Sequence, residues 1–151
     1  MTEKIIGCGA LFYSKETNRF LLLHRTQSKQ NRVWGLVGGT TTNELAWAGL
    51  KREIKEEIGD VKILKTIPME TFISNDEAFL YHTYLCVVGP EFLPKLNKEH
   101  DGFAWCTFNH WPKPLHQGLR KTLQSKVNQT KLDTVFKLSL IHISEPTRPS
   151  L

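Results

Sequence analysis

Three observations predict an α/β chain in which a mixed β-sheet lies between helices. Short runs of apolar, β-branched and aromatic residues recur along most of the sequence, parted by Gly, Pro, Asn and Asp. One segment, between Asn43 and Gly59, changes to a helical period. A second helical stripe closes the chain, giving the order strand–strand, strand–loop–helix, strand–strand, strand, helix.

The composition bounds the function classes. A length of 151 residues fits one domain, and 40% hydrophobic with 23% charged residues is the balance of a globule with a packed core. No apolar run approaches the roughly 18 residues that a membrane span needs. The amino-terminal residues MTEKIIGCGALF lack the layout of a signal peptide. Cys8, Cys86 and Cys106 are scattered and odd in number. They argue against a disulfide framework or a zinc site and suit a reducing, cytoplasmic location. The net charge of +5 suits an anionic, phosphate-bearing small molecule. It is too small and too dispersed to argue for nucleic-acid binding.

Ile5–Phe12 alternates like a strand, with Gly7 and Gly9 permitting close backbone approach. Ser14–Asn18 is a polar turn, and Arg19–Arg25 is a short apolar run that reads as a buried strand, completing a hairpin. Thr26–Arg32 is a polar loop whose Lys29 and Arg32 are expected to face solvent. Val33–Gly38 is a strand running into a Gly38-Gly39 turn, after which Asn43 is the expected helix N-cap and Gly59 the stop. Lys62–Ile73 and Ala78–Val88 read as strands joined by the turn Ser74–Glu77. Gly89–Asn97 is a loop, Glu99–Cys106 ends in a further strand, and Trp111–Leu115 is a proline-fixed turn. His116–Val127 is the closing helix, with Leu119, Leu123 and Val127 on one face. His82, His100, His110 and His116 show no metal-ligand spacing and are expected to be structural or surface residues.

The chemistry concentrates in GGTTTNELAWAGLKREIKEEIGD, residues Gly38 to Asp60. At about 100° per residue, Glu53, Glu56 and Glu57 fall within an arc of roughly 100°. Arg52 stands four residues before Glu56, close enough to pair. Trp47, Leu50, Ile54 and Ile58 form an adjoining apolar stripe that would seat the helix on a core. Three neighbouring carboxylates repel one another, and a hard divalent cation reverses that cost because Mg²⁺ takes oxygen ligands. An exposed salt-bridged helix would account for Arg52, but not for the glycine pair or the adjacent glutamates.

Gly38, five residues, Glu44, seven residues, then Arg52-Glu53-Ile54-Lys55-Glu56-Glu57-Ile58-Gly59 is a spacing that resembles the Nudix box. The box departs at Asp60, where the family usually has an aliphatic residue, and Val61 follows to fill that place. Just upstream, Trp34, Leu36, Gly38 and Gly39 match the family's Trp-x-Leu-Pro-Gly-Gly, with Val37 replacing the proline. The resemblance implies a Nudix-like α/β/α sandwich with a mixed β-sheet. It also implies hydrolysis of the diphosphate linkage in a nucleoside diphosphate derivative. It assigns Mg²⁺, with Mn²⁺ as a substitute, to Glu53, Glu56, Glu57 and a carbonyl at Gly38 or Gly39. Arg52 would hold Glu56 in place, and Glu44 would support the loop. Glu99, six residues before Trp105, fits a further acidic position of the family, as a ligand or as the base. Glu53 is the other candidate base. No subfamily cue selects the substrate, which leaves nucleoside triphosphates and ADP-ribose-like compounds. Removal of pyrophosphate from RNA 5′ ends and non-catalytic nucleotide sensing are the alternatives. Phe79, Tyr81, Phe103 and Trp105 are candidates to stack a base, although alternating strand aromatics are ordinarily core.

Residues 1–137 are expected to form the single domain. The segment Leu138–Arg148, LSLIHISEPTR, resembles the translation of a transposase adaptor used in read-library preparation. Residues 138–151 are therefore expected to be an adaptor-derived or frayed tail without function.

Overall fold

The computed structural model describes residues 4–41 and 45–144. Seven strands form one mixed sheet among the described residues. They are β1 (Ile5–Ser14), β2 (Arg19–Arg25), β3 (Trp34–Gly35), β4 (Val37–Thr41), β5 (Lys65–Ile73), β6 (Phe79–Val88) and β7 (His100–Thr107). The helices are α1 (Ala46–Ile58), α2 (Gln117–Gln124) and α3 (Lys126–Ser144).

β1 is the axis of the sheet. Along one edge it runs parallel to β6, from Ile5↔Phe79 to Ser14↔Val88. Its other edge is shared. The second half pairs antiparallel with β2, from Phe12↔Leu21 to Ser14↔Arg19, and the first half with β4, from Ile6↔Thr41 to Ala10↔Val37. β2 goes on to pair with β3 and, on its far side, with β7. The sheet therefore forks where β1 exchanges β2 for β4. Beyond β6 the outer strand is β5, whose register shifts at Pro68/Glu70, where proline cannot donate to a ladder.

The strand period of two distributes the core to both faces. Cys8, Ala10, Phe12, Leu21, Leu23, Val37, Cys86 and Val88 pack under Leu50, Ile54 and Ile58 of α1. Leu11, Tyr13, Phe20, Leu22, Met69 and Leu85 pack against Leu119 and Leu123 of α2 and Leu132 of α3. This is the α/β/α arrangement expected from the sequence.

Four expectations are corrected. Val33–Gly38 is not one strand: the chain switches neighbours at Leu36, with β3 on β2 and β4 on β1. Gly38 and Gly39 are not a turn but members of β4, opposite Gly9 and Cys8. Leu45, without a side-chain cap, precedes the first residue of α1; Asn43 and Glu44 lie outside the described residues. The closing helix is two helices. Ser125, in extended conformation, ends α2, and its Oγ accepts the Asn128 N–H (3.4 Å) at the start of α3, so Val127 points away from the core. Elsewhere, Gly59 ends α1 at φ +92°, with its N–H bonded to the Lys55 carbonyl at 3.1 Å. Asp60 is exposed, and Val61 packs against the α1-side core. Among the described residues no disulfide joins Cys8, Cys86 or Cys106, and the Cys8 thiol donates to the Ala46 carbonyl at 3.2 Å.

Candidate active site

The second half of α1 lies over β4, and the two glycines of that strand are what allow it. A Cβ on Gly39 would stand 2.8 Å from Glu53 Cδ and 2.9 Å from its Oε1, so the Glu53 carboxylate occupies the space that a side chain would take. A Cβ on Gly38 would overlap the Cys8 carbonyl oxygen of the paired strand. The Gly38 N–H donates to Glu57 Oε2 at 3.2 Å, which fixes the orientation of that carboxylate.

Glu57 is the anomalous group. It is 1% exposed, and its Oε1 has no hydrogen-bond partner among the described residues. His100 Nδ1 lies 3.7 Å away, beyond hydrogen-bonding distance, and neither ring nitrogen of His100 has a partner among the described residues. Burial pushes the Glu57 carboxyl up to about 9, helped by the charge of Glu53, by its contact with Glu53 and by Glu99, against the pull of the Gly38 N–H. Burial also pushes His100 down to about 4, with the Arg25 charge acting in the same direction and Asp101 opposing. An uncharged imidazole keeps a lone pair available near neutral pH.

Glu99 enters from the end of the loop just before β7. Glu57, Glu99 and His100 each offer a ligand atom, all within 4.8 Å of one another. Asn97 brings the two sides together: its Nδ2 donates to the Glu56 carbonyl (3.3 Å) and its Oδ1 accepts the Glu99 N–H (2.9 Å). The Lys95 N–H adds a second clip on the Ile58 carbonyl at 3.0 Å. Arg52 Nη1 stands 3.1 Å from Glu53 Oε1 and 3.5 Å from Glu56 Oε1. It braces both carboxylates and stands nearer to Glu53, whereas the sequence pointed only to Glu56. Glu56 is the most solvent-exposed of the three helix glutamates.

The donor set fits a hard divalent cation. A buried carboxylate with an unspent oxygen, flanked by two further carboxylates and a neutral imidazole, lacks a counter-charge that such an ion supplies. His100 was read from the sequence as structural or surface. Its place directly after Glu99 was the available signal, but neighbours in a strand ordinarily point to opposite faces. Arg25 was passed over as a strand end. Its guanidinium is held by the Gln30 carbonyl (3.1 Å), the Lys29 carbonyl (3.2 Å) and Gln27 Oε1 (3.3 Å), while Lys29 and Arg32 themselves are exposed. Trp105 donates its Nε1–H to the Phe92 carbonyl (3.2 Å) and meets the Phe92 ring edge-on at 5.3 Å. It is half-buried and packs against the α1-side core. His116 caps α2 by accepting the Gly118 N–H at 3.0 Å.

The sequence matches the family model for the NUDIX domain over residues 4–125. No curated protein matches it significantly. Among solved structures, it is similar to the MutT NUDIX hydrolase from Burkholderia pseudomallei, at 22% identity and a TM-score of 0.63 over 82% of this chain and 98% of that one. It is similar to the NUDIX domain of Shewanella oneidensis NrtR complexed with ADP ribose, at 14% identity and a TM-score of 0.67 over 87% and 90%. A C. elegans Ap4A hydrolase binary complex is similar at 20% identity and a TM-score of 0.64 over 85% and 98%. At these identities the structures speak for the fold. The domain match carries the assignment, since it spans both the strand–helix junction that holds the acidic cluster and most of the sheet beneath it: the chain belongs to the Nudix family.

Proposed function

We propose that the chain is a Mg²⁺-dependent pyrophosphohydrolase that cleaves the diphosphate linkage of a nucleoside diphosphate derivative by attack of water on phosphorus. The substrate is a nucleoside triphosphate or an ADP-ribose-like compound, and the protein works in the cytoplasm. No described helix is long and apolar enough to cross a membrane. The observation that carries the reading is Glu57, buried with an unpaired oxygen between further carboxylates.

Glu53, Glu56, Glu57 and the Gly38 carbonyl would hold the cation, with Glu99 and His100 close to the same point. When bound, the ion neutralises the diphosphate and lowers the pKa of a coordinated water. The protein's own groups do the rest. Arg52 keeps Glu53 and Glu56 in their rotamers, a positioning role. The Gly38 N–H orients Glu57. Glu53 or Glu99 accepts the proton of the attacking water: Glu53 is braced by Arg52, while Glu99 is exposed and reaches the site from the opposite wall.

The test is an incubation with nucleoside triphosphates, ADP-ribose, dinucleoside polyphosphates and triphosphorylated RNA, with and without Mg²⁺, followed by product identification. Metal-dependent cleavage between phosphorus centres is the expected outcome. Folded protein that binds nucleotide and cleaves nothing would overturn the hydrolase reading in favour of a sensing module. Preference for RNA with a steep salt dependence would move the substrate to RNA 5′ ends.

A further inference from the structure

One face of the sheet changes along its length. On the side of α2 and α3, Leu11, Tyr13, Met69 and Leu85 are buried, whereas at the opposite end of the same face, among the described residues, Ile5 and Phe72 are exposed and Phe79 and Tyr81 are half-buried. By register, that end presents Ile5, Gly7 and Gly9 on β1, Phe79 and Tyr81 on β6, and Phe72 on β5. Ile5 is 53% exposed and Phe72 is 50% exposed. The three rings form a run, with Phe72 and Phe79 centroids 6.4 Å apart and Phe79 and Tyr81 centroids 6.2 Å apart at an interplanar angle of 31°.

The two glycines account for the run. A Cβ on Gly7 would stand 2.7 Å from Tyr81 Cδ2, and one on Gly9 would overlap the Tyr81 hydroxyl. Tyr81 therefore lies across the bare backbone of β1. Its inner face is spent on glycine, and its outer face continues the Phe79 surface. The phenol end stops beside Leu36, at the fork of the sheet. There Gly9 pairs with Gly38, whose N–H holds Glu57. The stripe thus runs from the exposed Phe72 ring, through the half-buried Phe79 and Tyr81 rings, to the fork where the Gly38 N–H holds Glu57.

We propose that the Phe72–Phe79–Tyr81 stripe seats the planar ring of the substrate, a nucleobase, so that the attached diphosphate extends over the fork to Glu53 and Glu57. The inference rests on the hydrolase reading. Stacking on aromatic side chains needs no particular hydrogen-bonding edge, so the stripe separates base-bearing from base-free diphosphates and tolerates exchange of the base. Larger purine rings overlap the stripe more than pyrimidines.

The test uses the double variant Phe72→Ala/Phe79→Ala, checked for native circular dichroism, with ADP-ribose and ATP as base-bearing substrates and 5-phosphoribosyl 1-diphosphate as the base-free one. KM for the base-bearing compounds is expected to rise at least roughly tenfold with kcat nearly unchanged, while the base-free compound is unaffected. Phe79→Tyr alone should keep wild-type KM. An unchanged KM for ADP-ribose and ATP, or equal losses for all three compounds, overturns the proposal. If the wild-type protein turns over none of them, the hydrolase reading is decided by the wider substrate set above and the stripe is judged by calorimetry with ADP-ribose. Roughly tenfold weaker binding by the double variant supports it. Equal binding, or none by the wild type, overturns it.

Discussion

Glu57 is held where its protein surroundings alone do not satisfy it. A buried polar atom without a partner costs about 1–3 kcal/mol, and here Glu53 adds like-charge repulsion. Glu57→Gln is therefore expected to leave the metal-free melting temperature equal or higher, to abolish the rise in melting temperature caused by Mg²⁺, and to lower turnover by orders of magnitude. Melting scans with and without Mg²⁺, alongside steady-state kinetics, check all three. A variant with near wild-type rate and metal response would remove Glu57 from the site. The adjoining glycines make a sharper contrast. The atoms nearest a Cβ on Gly39 are the end of the Glu53 side chain, which can swing aside, whereas those nearest one on Gly38 are backbone. Gly39→Ala should lose activity with little change in melting temperature. Gly38→Ala should cost about 1–3 kcal/mol of stability in urea unfolding. Equal stability of the two variants would contradict this geometry.

At the scale of elements, the acidic cluster and the packing of α2 and α3 lie on opposite faces of the sheet. α1 and the end of the loop before β7 carry the acidic residues, and Asn97 joins them across the gap. α2 and α3 bury Leu119, Leu123 and Leu132 on the other face, where Asn128 donates to Glu70 Oε2 at 2.7 Å and to the Thr122 carbonyl at 3.0 Å. Leu132→Ala is expected to cost about 2–5 kcal/mol while kcat of the folded enzyme stays near wild type. Asn97→Ala is expected to do the reverse, weakening Mg²⁺ affinity through a displaced Glu99 with a small loss of stability. Titrations of rate against Mg²⁺ and denaturant curves for both variants test this division of labour, and parallel losses in both measurements would refute it.

For the whole molecule, the proposed metal binding would share one equilibrium with folding, because the acidic cluster is assembled only by the fold. Mg²⁺ at about a hundred times its dissociation constant should add about 2.7 kcal/mol to stability, and a chelator should remove it. A chain ending at Lys137 should keep both the melting temperature and the activity. Leu132 and Val135 pack on the core, and Leu138 is exposed. A large drop in melting temperature on that truncation would assign residues 138–144 a structural part.

The sequence by itself determined what local chemistry determines. The strand and helix periods set out the layers, and the spacing of Gly38, Arg52, Glu53, Glu56 and Glu57 marked one acidic surface beside a glycine pair. Elements were legible where pattern and flanking residues agreed, as in Arg19–Arg25, which is β2 as expected. The break at Ser125 was present as a capping residue, but the leucine stripe through Leu119 and Leu123 masked it. Tertiary structure decided everything that depends on which strand lies beside which. Only pairing reveals that Val33–Gly38 changes partners at Leu36, that Gly38 and Gly39 are strand residues making room for Glu53, and that His100 and Arg25 border the acidic cluster. The reason is physical: a side chain's period is a property of its own segment, whereas the burial that moves Glu57 and His100 away from their ordinary protonation comes from neighbours distant in sequence.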